Sequence, residues 1–301
     1  MLSYSHAFHA GNHADVLKHL TVIAILQKQQ IKSKPLFYMD THAGQGKYSL
    51  QSNAAKLNDE ASTGIQHLVD GYKSNQSEIL SPSLSYYRDL CVRYMAQHEY
   101  PGSPLVADSL LREVDKGFAT ELHPQAFSEL VQNCKGCGIK VQNRDGFEAL
   151  VASMPPTPKR GLVLIDPPYE QAGEYNKVVL NIEKALRRWA TGVFAIWYPL
   201  LSPRRICRAT QQEELNPKAS LSDDLRRECS ALSAKSILDV QFAPSPASTK
   251  VGMYGSGMIV INPPWKLEEE LAQALATFTN IAKYQSNNEH PKVIINWLKT
   301  D

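Results

Sequence analysis

The run Leu162-Val163-Leu164-Ile165-Asp166-Pro167-Pro168-Tyr169 constrains the fold more than any other stretch of this chain. Four apolar residues without alternation suit a central parallel strand covered on both faces. Pro167 has no N–H to give a ladder and biases Asp166 toward extended backbone, so strand pairing stops there. In open α/β sheets ligands bind beyond the carboxyl ends of strands, so these groups point into a site. The set suits a planar base that bears an exocyclic amine. The Asp166 carboxylate and the Pro167 carbonyl are acceptors for the two amine hydrogens, and Tyr169 offers a stacking face. On the tetrapeptide alone, a proline-stiffened turn with a core tyrosine stays open as the plainer alternative.

Composition sets the outer bounds. The 301 residues suit one large α/β domain with an insertion, and 43% hydrophobic against 21% charged residues argues against disorder. A formal charge of +2 excludes a carpet of non-specific nucleic-acid contacts but permits a local basic patch on a small RNA footprint. The basic pairs Arg187-Arg188, Arg204-Arg205 and Arg226-Arg227 read as solvated helix faces before phosphate clamps. Five scattered cysteines fit a reducing compartment. Cys134-Lys135-Gly136-Cys137 closes a helix and lacks a second ligand pair, which argues against zinc or redox chemistry. No run approaches a membrane span and no signal-peptide core opens the chain, so the expectation is a cytoplasmic protein away from the membrane.

Strand and helix signals alternate along most of the chain, as in a doubly wound sheet. Leu36–Asp40 reads as the first strand, leading into Thr41-His42-Ala43-Gly44-Gln45-Gly46. Residues from about 51 to 101 read as a helical insertion, with amphipathic segments near 64–72 and 84–98. Then follow a core helix over 105–115, a strand at Phe118–Leu122, a helix over 124–134 and a strand at Ile139–Asn143. A helix over 147–154 precedes the signature strand. The pattern continues with a helix over 178–189, a strand over 192–198 and a long helical region around 209–234. Strands at Ile237–Phe242 and Met258–Asn262 lack a crossover helix between them and are expected to form a hairpin. A mixed seven-stranded sheet with one antiparallel strand and a small helical insertion subdomain follows, as one domain over 1–301.

The glycines after the first strand let backbone pass close under a ligand. A dinucleotide site would want a third glycine opening a helix, but position 49 is Ser. An adenosyl ligand without a pyrophosphate fits better. Glu121, at the end of the second strand, is placed to bind both ribose hydroxyls. Asp145, ending the third, can accept from an adenine amine. Each carboxylate could instead cap the helix that follows it.

His6, His9, His13 and His19 crowd the first nineteen residues, with a helix expected to begin near Asn12. A zinc set, a solvated or core-satisfied group, and a lining of the active cavity are the three readings of these histidines. Sequence physics alone does not choose among them.

Asp166-Pro167-Pro168-Tyr169 resembles the signature of S-adenosylmethionine-dependent methyltransferases acting on amino nitrogens, chiefly adenine N6. The segment Tyr4–His19 resembles the start of the RlmJ family of 23S ribosomal RNA adenine N6-methyltransferases. So do Asp40–Gly44, Tyr100–Pro104, Glu121–Pro124 and Asp145–Leu150. These blocks run almost the whole chain, and the resemblance implies methylation of one adenine in 23S rRNA, at position 2030 in the usual bacterial numbering. It implies a Rossmann-like class I fold, S-adenosylmethionine as methyl donor, no metal, and a monomer acting on 23S ribosomal RNA. His19, His42, Ser103, Glu121, Asp145 and Gly146 would contact the donor. Asp166 would be catalytic, and Tyr4, His6 and Lys18 would lie on the substrate side with Pro167 and Tyr169.

Asn262-Pro263-Pro264-Trp265 also ends a strand and fits an amino-methyltransferase pattern. A last strand inserted antiparallel would carry that end to the opposite edge, which favours Asp166 as the reacting centre and a structural Asn262. A protein-glutamine N5-methyltransferase and a non-catalytic RNA-binding module are the rival functions.

Overall fold

The computed structural model describes residues 9–52, 60–74, 79–207, 210–248, 252–282 and 291–300. Its centre is an eight-stranded sheet, whose strands in chain order are β1 (Phe37–Asp40), β2 (Lys116–Glu121), β3 (Ile139–Asn143), β4 (Gly161–Ile165), β5 (Val193–Leu201), β6 (Ile237–Ala243), β7 (Met253–Ile261) and β8 (Lys292–Lys299). Their spatial order is β8-β6-β7-β5-β4-β1-β2-β3. β1 pairs in parallel with both β2 and β4, so the chain winds outward to β3 and then returns to the other side of β1. That reversal makes the β1–β4 crevice the switch point where α/β sheets bind ligands.

β6 and β7 form the expected antiparallel hairpin, and β7 also pairs antiparallel with β5. The sheet has eight strands and not seven. β8 adds a second antiparallel strand, at the sheet edge beside β6. All five residues of β4 are buried, as an unbroken apolar run requires.

The helix α1 (His13–Gln30) begins where Asn12 Oδ1 accepts the Ala14 and Asp15 N–H groups at 2.9 and 3.0 Å. It is buried on almost every side, including Lys18 and His19, so its sequence has little amphipathic signal. The sheet covers one side of α1. The other side meets α2 (Ile65–Ser74), α3 (Pro82–Met95), α4 (Ser103–Asp108) and α9 (Leu267–Ala282), directly or through one another. α5 (Pro124–Asn133) completes that face. The opposite sheet face carries α6 (Gly146–Ala152), α7 (Gly173–Arg188) and α8 (Leu221–Ser230).

Two expected helices are shorter than their sequence suggests. The segment over 105–115 is helical only to Asp108, because Asp115 turns back to accept the Leu36 and Arg112 N–H groups. The region around 209–234 holds an antiparallel ribbon, Arg204–Ile206 with Glu213–Leu215, and one ten-residue helix, α8. Arg204 and Arg205 therefore lie on a strand, each paired with a glutamate across the ribbon.

Candidate functional site

A cavity of about 720 Å³ opens over the carboxyl ends of β1, β2 and β4. Its size is that of a small-molecule pocket. β4 delivers Asp166 to it, and the proline pair ends the strand there. The Asp166 side chain is 14% exposed, and its Oδ2 takes a 2.7 Å ion pair from Lys18 Nζ. Oδ1 accepts no hydrogen bond from the described residues. Lys18 is buried in α1 and reaches Asp15 Oδ1 at 2.8 Å as well. Burial alone would lower the Lys18 pKa, but Asp15 and Asp166 together push it well above the usual lysine range. Asp15 is held in turn by the Gly11 N–H at 2.9 Å.

Tyr169 turns the chain after the prolines at φ +52°, a left-handed conformation that a bulky side chain adopts only when its surroundings hold it. Its hydroxyl donates to the Trp197 carbonyl at 2.8 Å, and its ring packs 4.3 Å from Tyr175. From the far side, Lys218 Nζ donates to the carbonyls of Tyr169 (3.3 Å) and Glu170. Pro167 is buried and lines the cavity with Tyr169.

The β1 turn forms the opposite wall. Asp40 is wholly buried beneath it, accepting from the Ser103 hydroxyl at 2.6 Å, the Tyr38 hydroxyl at 3.2 Å and the His42 N–H at 3.2 Å. Desolvation raises the Asp40 pKa to about 6. His42 is pushed the other way, to about 4, because burial disfavours the charged ring. It is neutral at pH 7, with Nδ1 2.8 Å from Thr41 Oγ1. Gly44, at φ +59°, gives its N–H to Glu121 Oε2 at 2.9 Å, while Glu121 Oε1 takes the His123 N–H at 2.7 Å. A carboxylate has about four acceptor positions, so Glu121 keeps capacity for a diol.

Asp145 caps α6 with Oδ1, which accepts the Phe147 and Glu148 N–H groups at 2.9 and 3.0 Å. Its Oδ2 takes no bond from the described residues. The next position must be glycine, since a Cβ at Gly146 would meet the Thr41 carbonyl at 2.0 Å. This contact brings the N-terminus of α6 against the β1 turn. His19 enters from α1, with Nδ1 2.9 Å from the Tyr100 hydroxyl, which is itself 2.6 Å from that of Tyr87.

Lys18, His19, His42, Ser103, Glu121, Asp145, Gly146, Asp166, Pro167 and Tyr169 all line this one cavity, although they span most of the chain. Tyr4 and His6 lie outside the described residues. Of the other N-terminal histidines, His9 pairs with Glu60 at 2.9 Å and the half-buried His13 packs edge-on against Phe242. Asp15, Asp40 and Lys218 were missed. The Asp15–Lys18 spacing of three on one helix was a readable signal. Asn216-Pro217 breaks the expected helix just before Lys218, but nothing in the sequence connects that loop to Tyr169. The second tetrapeptide is placed elsewhere. Asn262, at φ +53°, donates to the carbonyls of Ala190 (3.0 Å) and Gly192 (2.8 Å), and Trp265 is 84% exposed.

The chain is similar to known proteins along most of its length. Residues 33–297 match the family model described as "Ribosomal RNA large subunit methyltransferase D, RlmJ". The chain is 41% identical over 278 residues to "Ribosomal RNA large subunit methyltransferase J" of Escherichia coli K12, covering 91% of this chain and 92% of that protein. A Haemophilus influenzae protein of the same name is 40% identical, with 93% of each chain covered. Among solved structures, protein LPL1258 from Legionella pneumophila superposes with a TM-score of 0.78 at 30% identity, over 96% of this chain and 98% of that one. With its model match spanning most of the sequence and two curated relatives aligned nearly end to end, the chain belongs to the RlmJ family of ribosomal RNA large-subunit methyltransferases.

Proposed function

We propose that the protein transfers a methyl group from S-adenosylmethionine to the N6 amine of a single adenine in 23S ribosomal RNA, at position 2030 in the usual bacterial numbering. Family membership supports the rRNA substrate. The observation that carries the amine is Asp166: one carboxylate oxygen is held by a buried lysine, and the other is open within the cavity.

The residues present fit the methyl donor. Glu121 retains acceptor capacity for the two ribose hydroxyls, and Asp145 Oδ2 can accept from the donor's adenine amine. His19, Ser103 and the neutral ring of His42 surround the space between them, and Gly146 lets α6 pack close on the β1 turn. When bound, S-adenosylmethionine supplies an electrophilic methyl on a sulfonium. The rest is done by the chain. An adenine amine is a poor nucleophile because its lone pair is delocalised into the ring. Acceptance of its two hydrogens by Asp166 and the Pro167 carbonyl draws the nitrogen toward tetrahedral geometry and frees that pair. Lys18 holds the carboxylate in place, so most of the gain comes from positioning and fixed electrostatics. The methylated nitrogen is strongly acidic, so no proton needs to leave before transfer. The base must leave its stack to enter, and the Tyr169 ring replaces the lost stacking. Tyr4 and His6 belong to the substrate side of this reading.

Methyl-labelled S-adenosylmethionine with unmodified 23S rRNA tests it. The expected product is N6-methyladenine at one site. Label in protein would favour a glutamine methyltransferase. RNA binding without label, and without heat stabilisation by the donor, would leave a non-catalytic module.

A further inference from the structure

The cations of this nearly neutral chain are unevenly neutralised. Of the three arginine pairs that stand out in the sequence, Arg187, Arg204, Arg205, Arg226 and Arg227 each pair with a nearby carboxylate. Arg188 does not; it donates to the Val151 carbonyl at 2.9 Å and keeps further N–H groups. It lines a shallow groove between α6 and α7 together with Arg144, Lys177 and Lys184. All four are exposed, and none has a carboxylate partner among the described residues.

The spacing is ordered. Lys177, Asn181, Lys184 and Arg188 follow one another at intervals of four, three and four, which makes a single stripe along α7. From Lys177 to Arg188 the stripe runs about 17 Å. Arg144 faces it from the end of β3. The groove contains only two carboxylates, Asp145 and Glu148, and Asp145 is occupied in part as the α6 cap. It also joins the active cavity directly, since Asp145, Phe147 and Lys177 line both.

We propose that this groove is the track for the RNA phosphates flanking the target adenosine. The inference rests on the RNA-methyltransferase reading above. A base drawn into the cavity leaves its neighbouring phosphates at the mouth, where Lys177 stands. From there the stripe offers a linear series of unfilled donors, which matches a polyanionic backbone.

The test uses the full chain and an unmodified 23S rRNA transcript, with binding measured across a range of salt concentrations. In K177Q/K184Q the affinity is expected to fall about tenfold, and the log–log salt slope to become shallower by about 1.4, roughly 0.7 per lost contact on a single strand. R144Q alone should remove about half of that slope change. S-adenosylmethionine affinity, measured without RNA, stays within twofold. The same charge loss at the amino ends of the strands, K32Q/K116Q, leaves affinity and slope unchanged. An unchanged slope in K177Q/K184Q, or an equal loss in the control, overturns the track. So does a defect seen with ribosomal particles but absent with protein-free transcript, which would place a ribosomal protein in the groove. Wild-type protein that labels rRNA while the variants bind normally removes the track alone. Wild-type protein that passes no label to rRNA removes the methyltransferase reading and the track with it.

Discussion

Two strands of this sheet end in nearly the same words. β4 runs into Asp166-Pro167-Pro168-Tyr169 and β7 into Asn262-Pro263-Pro264-Trp265. In each case prolines stop the ladder and a non-glycine residue adopts a left-handed backbone, Tyr169 at +52° and Asn262 at +53°. The surroundings differ in every respect that matters for chemistry. β4 is parallel to β1, so Asp166 emerges above the β1 turn, beside Lys18 and within the cavity. β7 is antiparallel to β5, so Asn262 emerges where β5 begins and spends its amide on the Ala190 and Gly192 carbonyls. Tyr169 is 4% exposed and Trp265 84%. A short motif therefore specifies chemistry only together with the direction of the strand that carries it.

The largest expected contrast is at the first position. Asp166→Ala should reduce methyl transfer by about 10³-fold, since it removes the acceptor that polarises the amine. Donor affinity, measured by calorimetry, should stay within a few-fold, because the Glu121 and Asp145 walls are untouched. Asn262→Ala should keep its rate within about twofold. Equal losses in the two variants, or near wild-type turnover in Asp166→Ala, would break the contrast.

Lys18 sharpens it. No side-chain cation among the described residues bonds Asn262, whereas the buried Lys18 bridges Asp166 and Asp15. Lys18→Met leaves two buried carboxylates uncompensated, and removing one partner of a buried ion pair typically costs about 3–5 kcal/mol. The expected result is a drop of about 10²-fold in kcat with little change in donor affinity. Lys18→Arg should recover part of the rate. A wild-type kcat in Lys18→Met would show that the lysine only packs.

The same contrast explains which parts of this molecule were legible. Strand ends, glycine turns and the β6–β7 hairpin depend on local chemistry, and each stands where period and punctuation put it. The first carboxylates of the site were readable for the same reason: Glu121 and Asp145 end strands whose neighbours follow from winding order. What escaped depends on tertiary partners. β8 is a half-exposed edge strand that borrows its register from β6, so its own pattern is weak. α9 is buried against α1 and α2 through contacts far apart in sequence. The region from 204 to 234 looks like charged helix, but cross-strand Arg–Glu pairs and Asn216-Pro217 turn its first part into a ribbon and loop. With that ribbon unseen, Lys218 could not be connected to the Tyr169 backbone. Asp40 was hidden differently. It ends β1 but points beneath the turn, where it organises Ser103 and His42.

Stability should separate the two motifs in the reverse order. Asn262→Ala leaves two carbonyls without their donor and places a Cβ-bearing residue without a polar side chain at positive φ. About 2–3 kcal/mol of destabilisation is expected, read as a lower denaturant midpoint with unchanged slope. Asp166→Ala should be close to neutral or stabilising by the same measurement only if Lys18 keeps Asp15 as its partner. A stability loss in Asp166→Ala larger than in Asn262→Ala would mean that the ion pair holds α1 to the sheet as well as the carboxylate to its task.

The smallest effect lies at the aromatic ends. Tyr169→Phe retains the ring that lines the cavity and removes only the hydroxyl that donates to the Trp197 carbonyl. One buried hydrogen bond is worth about 1 kcal/mol, so the midpoint should fall slightly. The rate at saturating RNA should hold within about threefold, because stacking needs the π face and not the hydroxyl. Trp265→Ser, at the exposed counterpart, should change neither stability by more than about 0.5 kcal/mol nor the rate. The Tyr169 hydroxyl is then an anchor for the left-handed turn. If Tyr169→Phe loses rate by 10²-fold while its midpoint stays put, the hydroxyl instead meets the base or the donor, and stacking is not the role of this ring.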